Sequence, residues 1–243
     1  MENTNYIKAE FYIKKEDINK KIRIINSFEN AINEKGLKIE EKDYYFRNEK
    51  EIKTCKIKIN GGLIPFCYFY EFKKKGKYNI TYSFSTELTN INYMFYRCNK
   101  ITYMDLSNFN TQKITNMSYM FYGFDSLLKI DLSNFNAQNV TDTKHMFYGC
   151  HSLSNIDLSN FNAPNIKIMK NMFHNCTSLT NIDLSYFNTQ CVFDMSYMFS
   201  GCNSLITIDF SNFHRQYFAN TKFMFLGCNS LITKKMIIKK INN

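Results

Sequence analysis

The chain has 243 residues, of which 44% are hydrophobic and 16% are aromatic, and its formal net charge is +10. This length and composition are typical of one or two folded domains and exclude a disordered chain. Residues 1–90 carry 18 basic and 13 acidic side chains, so the positive charge is spread along the chain and does not predict a nucleic-acid partner.

The N-terminal segment does not resemble a targeting or membrane segment. Residues 1–23 have no apolar run of the length that a secretory signal needs. No stretch approaches the roughly 20 apolar residues of a transmembrane helix. The sequence therefore predicts a cytoplasmic protein without membrane insertion.

Residues 1–86 are predicted to form a small all-β domain. Short runs of alternating apolar residues predict strands over 6–13, 21–25, 54–59, 64–72 and 77–84. Asn60-Gly61-Gly62 supplies the positive-φ residues of a hairpin turn. We expect this domain to cover the first repeat of the following region, because an uncovered end would expose strand edges and apolar surface.

Residues 87–243 contain a strict repeat. Six Met-Phe pairs follow one another with a constant 26-residue period, at Met94-Phe95, Met120-Phe121, Met146-Phe147, Met172-Phe173, Met198-Phe199 and Met224-Phe225. A constant period in this range predicts a solenoid in which each unit buries its apolar face against its neighbours.

Each repeat is predicted to contain a helix of about two turns. Met117, Met120, Phe121 and Phe124 fall on one helical face at i, i+3, i+4 and i+7. Candidate N-cap residues precede these helices at Asn90, Asn116, Asp142, Asp194 and Asn220, with Ile168 as the exception. Candidate left-handed residues follow at Gly123, Gly149, Asn175, Gly201 and Gly227, with Arg97 as the exception.

A short parallel strand is predicted after each helix. The second repeat has Leu127, Ile130, Leu132 and Phe135 in the spacing L-x-x-I-x-L-x-x-F, which resembles the leucine-rich repeat. The sequence therefore predicts an α/β solenoid of 26-residue leucine-rich repeats, with one parallel strand and one short helix per turn. Residues 234–241 are predicted to add a closing strand.

The repeats also resemble a known family. Asp131-Leu132-Ser133-Asn134-Phe135-Asn136, Met198-Phe199 and Gly201-Cys202 carry a motif that is similar to the BspA-like leucine-rich repeat proteins. The resemblance covers about residues 88–232. It implies a leucine-rich repeat solenoid, a role in binding or adhesion at a cell surface, and no enzymatic activity.

Aspartates recur between the inward-facing residues of the predicted strands. They are Asp105, Asp131, Asp157, Asp183 and Asp209, with a column of serines two residues later at Ser107, Ser133, Ser159, Ser185 and Ser211. Neighbouring carboxylates about 5 Å apart would repel each other by roughly 0.8 kcal/mol in water. Either the serine hydroxyls offset this repulsion in a structural ladder, or the column receives a cationic partner or a metal ion.

The positions two residues before these aspartates vary from repeat to repeat. They are Tyr103, Lys129, Asn155, Asn181 and Thr207. Because these side chains are predicted to point outward, packing does not fix their identity. We therefore predict that they form, together with the aspartates, the site that binds a partner.

Cysteine and histidine do not indicate a catalytic or metal site. Cys98, Cys150, Cys176, Cys202 and Cys228 share one repeat position, and Phe124 occupies this position in the second repeat. A position that accepts Phe is an apolar core site. The spacing lacks the C-x-x-C or Cys/His pairs of a zinc site, and the four histidines do not share a repeat position. No cofactor is predicted.

The sequence therefore predicts a non-enzymatic scaffold that binds another macromolecule, a protein of unknown identity, on the outward face of its sheet. One alternative is an adhesin-like surface protein that binds host or matrix components. A second alternative is a structural module stabilised by cations at the aspartate column.

Overall fold

The computed structural model describes residues 5–161, 163–185, 187–209 and 219–232, and of residues 41, 42 and 44 it describes only the backbone. The predicted closing strand over 234–241 and Ser211 of the serine column lie outside the described residues.

The N-terminal region contains strands and short helices. The strands are β1 (Tyr6–Ile13), β2 (Lys21–Arg23), β3 (Lys56–Ile59), β4 (Gly62–Ile64), β5 (Phe69–Glu71) and β6 (Gly76–Ser83). The helices are α1 (Phe28–Glu34) and α2 (Glu49–Ile52), with 3₁₀ turns at Lys15–Asp17 and Glu41–Phe46. The range of the predicted strand over 64–72 contains the end of β4 and the whole of β5, with residues between them that are not in a strand. The hairpin turn is confirmed, because Asn60 and Gly61 have φ of 48° and 85° between β3 and β4.

The all-β prediction for this region is wrong because it missed both helices. Ser27 begins α1, and its side chain accepts a hydrogen bond from the Asn30 backbone N–H at 3.1 Å. Phe28 and Ala31 are buried one turn apart on the same face of α1. The polar residues between them, Glu29 and Asn30, are only half-buried, which agrees with an amphipathic pattern.

The repeats supply the remaining strands. These are β7 (Ile101–Asp105), β8 (Lys129–Asp131), β9 (Asn181–Asp183) and β10 (Thr207–Asp209). β7 pairs in parallel with β8, and β9 pairs in parallel with β10, in both cases between equivalent positions of consecutive repeats. Residues 155–157 of the repeat between them are not in a strand. The predicted continuous parallel sheet is therefore two separate pairs.

One mixed sheet joins the N-terminal region to the repeats. Its strand order is β4-β3-β6-β1-β7-β8, and β1 pairs antiparallel with both β6 and β7. An ion pair reinforces this junction, since Lys100 Nζ lies 2.8 Å from the largely buried Asp17 carboxylate. Burial opposes the charge of Asp17, but the contact with Lys100 holds its pKa below the usual range. The sheet thus crosses the predicted domain boundary between residues 86 and 87, whose placement stays a prediction.

The short helix predicted in each repeat is wrong. In the second repeat Tyr119 has φ of 59°, which interrupts a right-handed helix. The N–H groups of Tyr119 and Phe121 donate to the carbonyls of Lys144 and Met146 in the following repeat, at 2.9 Å each. An α-helix would need these same groups for its own i−4 carbonyls. The segment therefore forms consecutive turns that hydrogen-bond to the next repeat.

The predicted caps and left-handed residues have a different role in this arrangement. Asn116 accepts a hydrogen bond from the Ser118 N–H at 2.9 Å, and Asp142 accepts one from the Lys144 N–H at 2.8 Å. The same positions form isolated parallel bridges from Asn90 through Asn116, Asp142, Ile168 and Asp194 to Asn220. The candidate left-handed positions all have positive φ, and so does the exception, Arg97, at 60°. Because the segment is not helical, the predicted N-cap residues start turns rather than helices, and the predicted left-handed residues close them.

One large apolar core runs through both regions, from Ile7 to Leu231, and a smaller separate cluster contains Phe28 and Tyr93. The phenylalanines of the Met-Phe pairs form the central column of the large core, in which Phe147 stacks on Phe121 at 5.2 Å and on Phe173 at 5.4 Å between ring centroids. A second column stacks Phe161 between Phe135 and Phe187 at 5.7 and 5.3 Å. The prediction that these phenylalanines and the repeated Met, Ile and Leu positions are core residues is confirmed.

The prediction of an α/β leucine-rich repeat solenoid is wrong as a fold class. The described residues form mostly strands and turns, and their only two α-helices lie within residues 28–52. The strands belong to one mixed sheet and two small separate sheets rather than to one parallel sheet. What remains of the prediction is the 26-residue register, because consecutive repeats hydrogen-bond to each other at that interval.

Candidate functional site

The predicted aspartate column is only partly aligned by strand pairing. Asp105 pairs with Asp131 across β7 and β8, and Asp183 pairs with Asp209 across β9 and β10. Asp157 lies between these pairs in a repeat without a strand. The structure therefore brings the aspartates together as two pairs with one member between them.

Each of the first four carboxylates is held by its own chain. Oδ1 of Asp105, Asp131 and Asp157 accepts a hydrogen bond at 2.9 Å from the N–H of the serine two residues later, and Asp183 does so at 2.8 Å. The Ser107 hydroxyl also donates to Asp105, at 2.6 Å. This geometry is an Asx turn, which fixes the direction of the carboxylate. Hydrogen bonds from the Ser159 N–H and hydroxyl lower the pKa of Asp157, so this side chain stays anionic.

Lys8 of β1 is the cross-strand neighbour of Asp105, but it does not form an ion pair with it. Within the described ranges, no lysine, arginine or histidine forms an ion pair with Asp105, Asp131, Asp157 or Asp183. Nor do three metal-binding side chains come together anywhere in that part of the chain. These four members of the aspartate column are thus fixed negative charges, without the side-chain cluster that a metal ion needs.

The variable column lies beside the aspartates. Lys129, Asn155, Asn181 and Thr207 are exposed, whereas Tyr103 is half-buried. Tyr103 lies opposite Glu10 of β1, and burial together with Asp105 and Asp131 raises its pKa. The Thr207 hydroxyl donates to Asn181 Oδ1 at 2.6 Å. Two neighbouring members therefore form one polar patch, and Asn155 lies in the stretch without a strand.

The repeated cysteines are core residues, as predicted. Cys98, Cys150, Cys176, Cys202 and Cys228 are buried and reduced. Cys176 Sγ donates to the Phe147 carbonyl at 3.1 Å, and Cys202 Sγ donates to the Phe173 carbonyl at 3.0 Å. Burial raises the pKa of Cys98 and of Cys176. A buried, protonated thiol is a poor nucleophile and a poor metal ligand.

Sequence reasoning missed a second surface, on the turns that flank the Met-Phe pairs. We call it the aromatic ladder, and its members are Tyr93, Tyr96, Tyr119, Tyr122, His145, Tyr148 and His174. Tyr119 stacks on Tyr93 and on His145 at 4.5 Å between centroids. Tyr148 stacks on Tyr122 at 4.6 Å and on His174 at 4.7 Å. The ladder therefore consists of two adjacent rows of stacked rings.

The backbone turns explain this placement. The residue before each Met-Phe pair has positive φ, including Tyr93 at 56° and His145 at 57°. This conformation directs the Met and Phe side chains into the core and leaves the flanking rings outside it, half-buried from Tyr119 onwards. The signal was present in the sequence as Tyr-Met-Phe-Tyr at 93–96 and 119–122 and as His-Met-Phe-Tyr at 145–148. His145 and His174 do not share a repeat position, but each occupies a position that is Tyr in an earlier repeat.

Cations surround the ladder. Lys35 Nζ lies 5.5 Å from the ring centroid of Tyr93 and 5.0 Å from that of Tyr96. The Arg97 guanidinium lies 5.3 Å from the Tyr96 centroid, and Lys144 Nζ lies 5.5 Å from the Tyr119 centroid. These distances are within the range of favourable cation–π contacts.

The ladder histidines are neutral at physiological pH. Burial, and then Lys144, lowers the pKa of His145 to about 3. Its Nε2 lies 3.4 Å from Asn171 Nδ2, while its buried Nδ1 has no hydrogen-bond partner among the described residues. Burial also lowers the pKa of His174. The polar neighbour of His145 is the amide of Asn171 and not a carboxylate, so the two side chains do not form a general-base pair. The remaining histidine, His214, lies outside the described residues.

Three comparisons bear on identity. No curated protein and no solved structure matches the chain. Neither of the described α-helices has the length and apolar character that crossing a bilayer requires. One family model matches over residues 68–180 and 151–239, and its description is "Mycoplasma protein of unknown function, DUF285".

This match corrects the resemblance drawn from the sequence. The matching model is not that of a leucine-rich repeat family, so the assignment to the BspA-like leucine-rich repeat proteins is wrong. The matched residues include all six Met-Phe pairs and more than half of the chain. The chain therefore belongs to the DUF285 family of Mycoplasma proteins of unknown function.

Proposed function

We propose that this protein is a non-enzymatic binding module, and that a protein partner with basic side chains docks on the strand side of its repeats. The site comprises Tyr103, Lys129, Asn155, Asn181 and Thr207 together with the aspartate column. The observation that carries the proposal is the set of four carboxylates, of Asp105, Asp131, Asp157 and Asp183, which are fixed by their own chain and form no ion pair among the described residues.

Electrostatic complementarity supports a basic partner. A carboxylate whose direction is already fixed loses little conformational freedom when it receives an Arg or Lys side chain. Opposite charges across an interface raise the association rate and disfavour wrong partners. The exposed variable column next to the carboxylates can then select among basic partners. Adhesion to an external component is the same kind of binding at another location, and it stays an alternative proposal.

Two sets of variants test this site in a pull-down with immobilised full-length protein. Replacing Asn155 and Asn181 by Ala should reduce the capture of the bound partner, whereas Lys129, whose charge opposes a basic partner, is left in place. Replacing Asp131, Asp157 and Asp183 by Asn removes three charges but keeps an acceptor for each Asx turn, as Asn116 has in its own turn. We expect this second set to reduce capture at least about tenfold at low salt.

Folding must be intact for the result to count, and circular dichroism melting of each variant checks it. Unchanged capture by both well-folded sets would move the binding site away from the strand side. Loss of capture with the Asn set at low salt, together with partial loss at high salt in the wild type, would support the electrostatic account.

A further inference from the structure

The aromatic ladder is partly covered by the chain itself. Phe28 and Ala31 of α1 pack in one cluster with Tyr93 and Tyr96, and this cluster extends to Ile32, Ile39, Phe46, Tyr119 and Tyr122. Phe28 meets Tyr93 edge to face, at 5.6 Å between centroids. An amphipathic helix thus already packs against the first rungs of the ladder, and α1 is the example of what this surface accepts.

The later rungs continue the same surface beyond α1. Tyr148 contacts Tyr122, His145 and His174, and of the described residues none from α1 reaches it. Tyr148 and His174 are half-exposed. Beside them lies a cleft of about 390 Å³, whose lining consists of Tyr122, Tyr148, Gly123 and Gly149 together with the polar residues Arg97, Asn99, Asp125 and His151. This cleft offers room for an anchoring apolar side chain from outside the chain.

The surroundings of these rungs are mainly basic. Lys144, Lys170 and Lys35 each disfavour a proton on His145 and lower its pKa, because their positive charges lie near its ring. Two carboxylates are also near. The Asp142 carboxylate accepts a hydrogen bond from the Lys144 backbone N–H, and burial raises the pKa of Asp142. Asp125 Oδ1 lies 3.9 Å from His151 Nε2. Neither of them forms an ion pair with Lys144 or Lys170 within the described residues.

We propose that the later rungs of the aromatic ladder, centred on Tyr148 and His174, bind an amphipathic helix with acidic flanks from a protein partner. The apolar face of that helix packs on the later rings, as Phe28 and Ala31 of α1 pack on the earlier rungs. Its acidic side chains meet Lys144, Lys170 and Arg97. This surface is separate from the aspartate column, so it can bind whether or not the strand side does.

The stacking geometry favours a helix over single-stranded nucleic acid. Bases bind to aromatic side chains by stacking on an open ring face. In the ladder the ring faces already contact one another, with centroids 4.6 Å apart for Tyr122 and Tyr148 and an angle of 8° between their planes. For a ring that is stacked on both faces, such as Tyr148 between Tyr122 and His174, the edges are what remains accessible, and edges suit the apolar side chains of a helix.

A pair of designed peptides tests the proposal on the full-length protein. Each has about 18 residues, or five helical turns, with Leu and Phe at i, i+3, i+4 and i+7, and the polar flanks are Glu in one peptide and Lys in the other. Isothermal titration calorimetry measures the binding of each. We expect the Glu peptide to bind at least about tenfold more tightly than the Lys peptide at low salt.

The repeats themselves supply variants that should fold. Ser200 occupies the ladder position of Tyr148 and His174 in a later repeat, so Tyr148→Ser with His174→Ser introduces a residue that this position already accepts. Ser118 and Ser196 likewise occupy the position of Lys144 and Lys170. We expect two double substitutions, Tyr148→Ser with His174→Ser and Lys144→Ser with Lys170→Ser, each to weaken binding of the Glu peptide at least about tenfold. Lys58→Ser, at an exposed position of β3 outside both proposed surfaces, is the control with the same kind of charge change, and it should leave the affinity unchanged.

Equal binding of the two peptides would overturn the proposal, as would no binding of the Glu peptide to the folded wild type. The same conclusion would follow if both serine double variants kept the wild-type affinity while their melting showed intact folding. An oligo(U) RNA that competes with the Glu peptide for Tyr148 would assign the ladder to single-stranded nucleic acid and reject a helix as its occupant.

Discussion

Phe147→Ala is expected to lower the free energy of unfolding by about 3–5 kcal/mol. The Phe147 ring is fully buried and stacks between Phe121 and Phe173, so its removal leaves a cavity and deprives both neighbours of contacts. The damage should spread, because each repeat is stabilised mainly by the repeats on either side. Urea denaturation followed by circular dichroism measures the change.

Phe193→Thr is the matched control for this substitution. Phe193 is 54% exposed, and Thr141 occupies the same position two repeats earlier. We expect its effect to stay within about 0.5 kcal/mol, as for other surface changes. Near-wild-type stability of the Phe147→Ala variant would mean that the Met-Phe column does not form the core.

Acidification is expected to destabilise the protein through His145. The pKa of His145 is about 3 in the folded state, below the usual 6.5, because burial and Lys144 disfavour the imidazolium. Between these two values the unfolded chain binds more protons than the folded one. The contribution of His145 is therefore fully present above pH 6.5 and is lost as the pH falls towards 3. For a ring that is not fully buried we expect a loss of about 1–2 kcal/mol at pH 4.

The variant His145→Tyr isolates this effect. Tyr119 and Tyr197 occupy the same repeat position with the same positive φ, so the substitution should be accommodated. The difference between the unfolding free energies at pH 7 and pH 4 should be smaller in this variant than in the wild type. His151→Asn, which changes an exposed histidine to the residue found at Asn203, should keep the wild-type difference. If His145→Tyr also keeps it, His145 is not the group that titrates.

The period of the repeat was predictable from the sequence, whereas its backbone conformation was not. Apolar residues at i, i+3, i+4 and i+7 point to one side in a helix, but the consecutive turns of Met117–Phe124 bury the same four residues. A helix and these consecutive turns differ in which carbonyls accept hydrogen bonds from the N–H groups of Tyr119 and Phe121. In the turns, the accepting carbonyls belong to the neighbouring repeat. Periodicity within one repeat does not contain that information.

The prediction of the binding site had a similar limit. Outward positions next to a predicted strand could be identified by alternation, and Lys129, Asn181 and Thr207 are indeed exposed. The loss of strand structure at 155–157 could not be foreseen, because Ile156 and Leu158 keep the same pattern and remain buried. The aromatic ladder was missed because a helix over this segment would leave Tyr119 and Tyr122 off the face that carries Met117 and Phe124, where stacking between consecutive repeats is not expected.

The N-terminal region shows how tertiary packing overrides local pattern. β1 was predictable from strict alternation over Tyr6–Ile13. α1 is a helix of about two turns and is too short to be stable alone. It is held by the ladder, since Phe28 packs on Tyr93 and Tyr96, which belong to the first repeat and are distant in sequence. Its existence thus depends on a surface that itself was not predicted.

The register between repeats is the claim on which both proposed surfaces depend, and one cross-linking experiment tests it directly. Cys191 is exposed and reduced, and Asn165 is its equivalent in the preceding repeat. Neighbouring strand-like segments lie about 4.8 Å apart, which is compatible with a disulfide. We expect Asn165→Cys to form a disulfide with Cys191 under mild oxidation, detected by mass spectrometry of the digested protein, and Asn139→Cys, two repeats away, to form none. A disulfide from Asn139→Cys but not from Asn165→Cys would contradict the stacking of each repeat directly on the next.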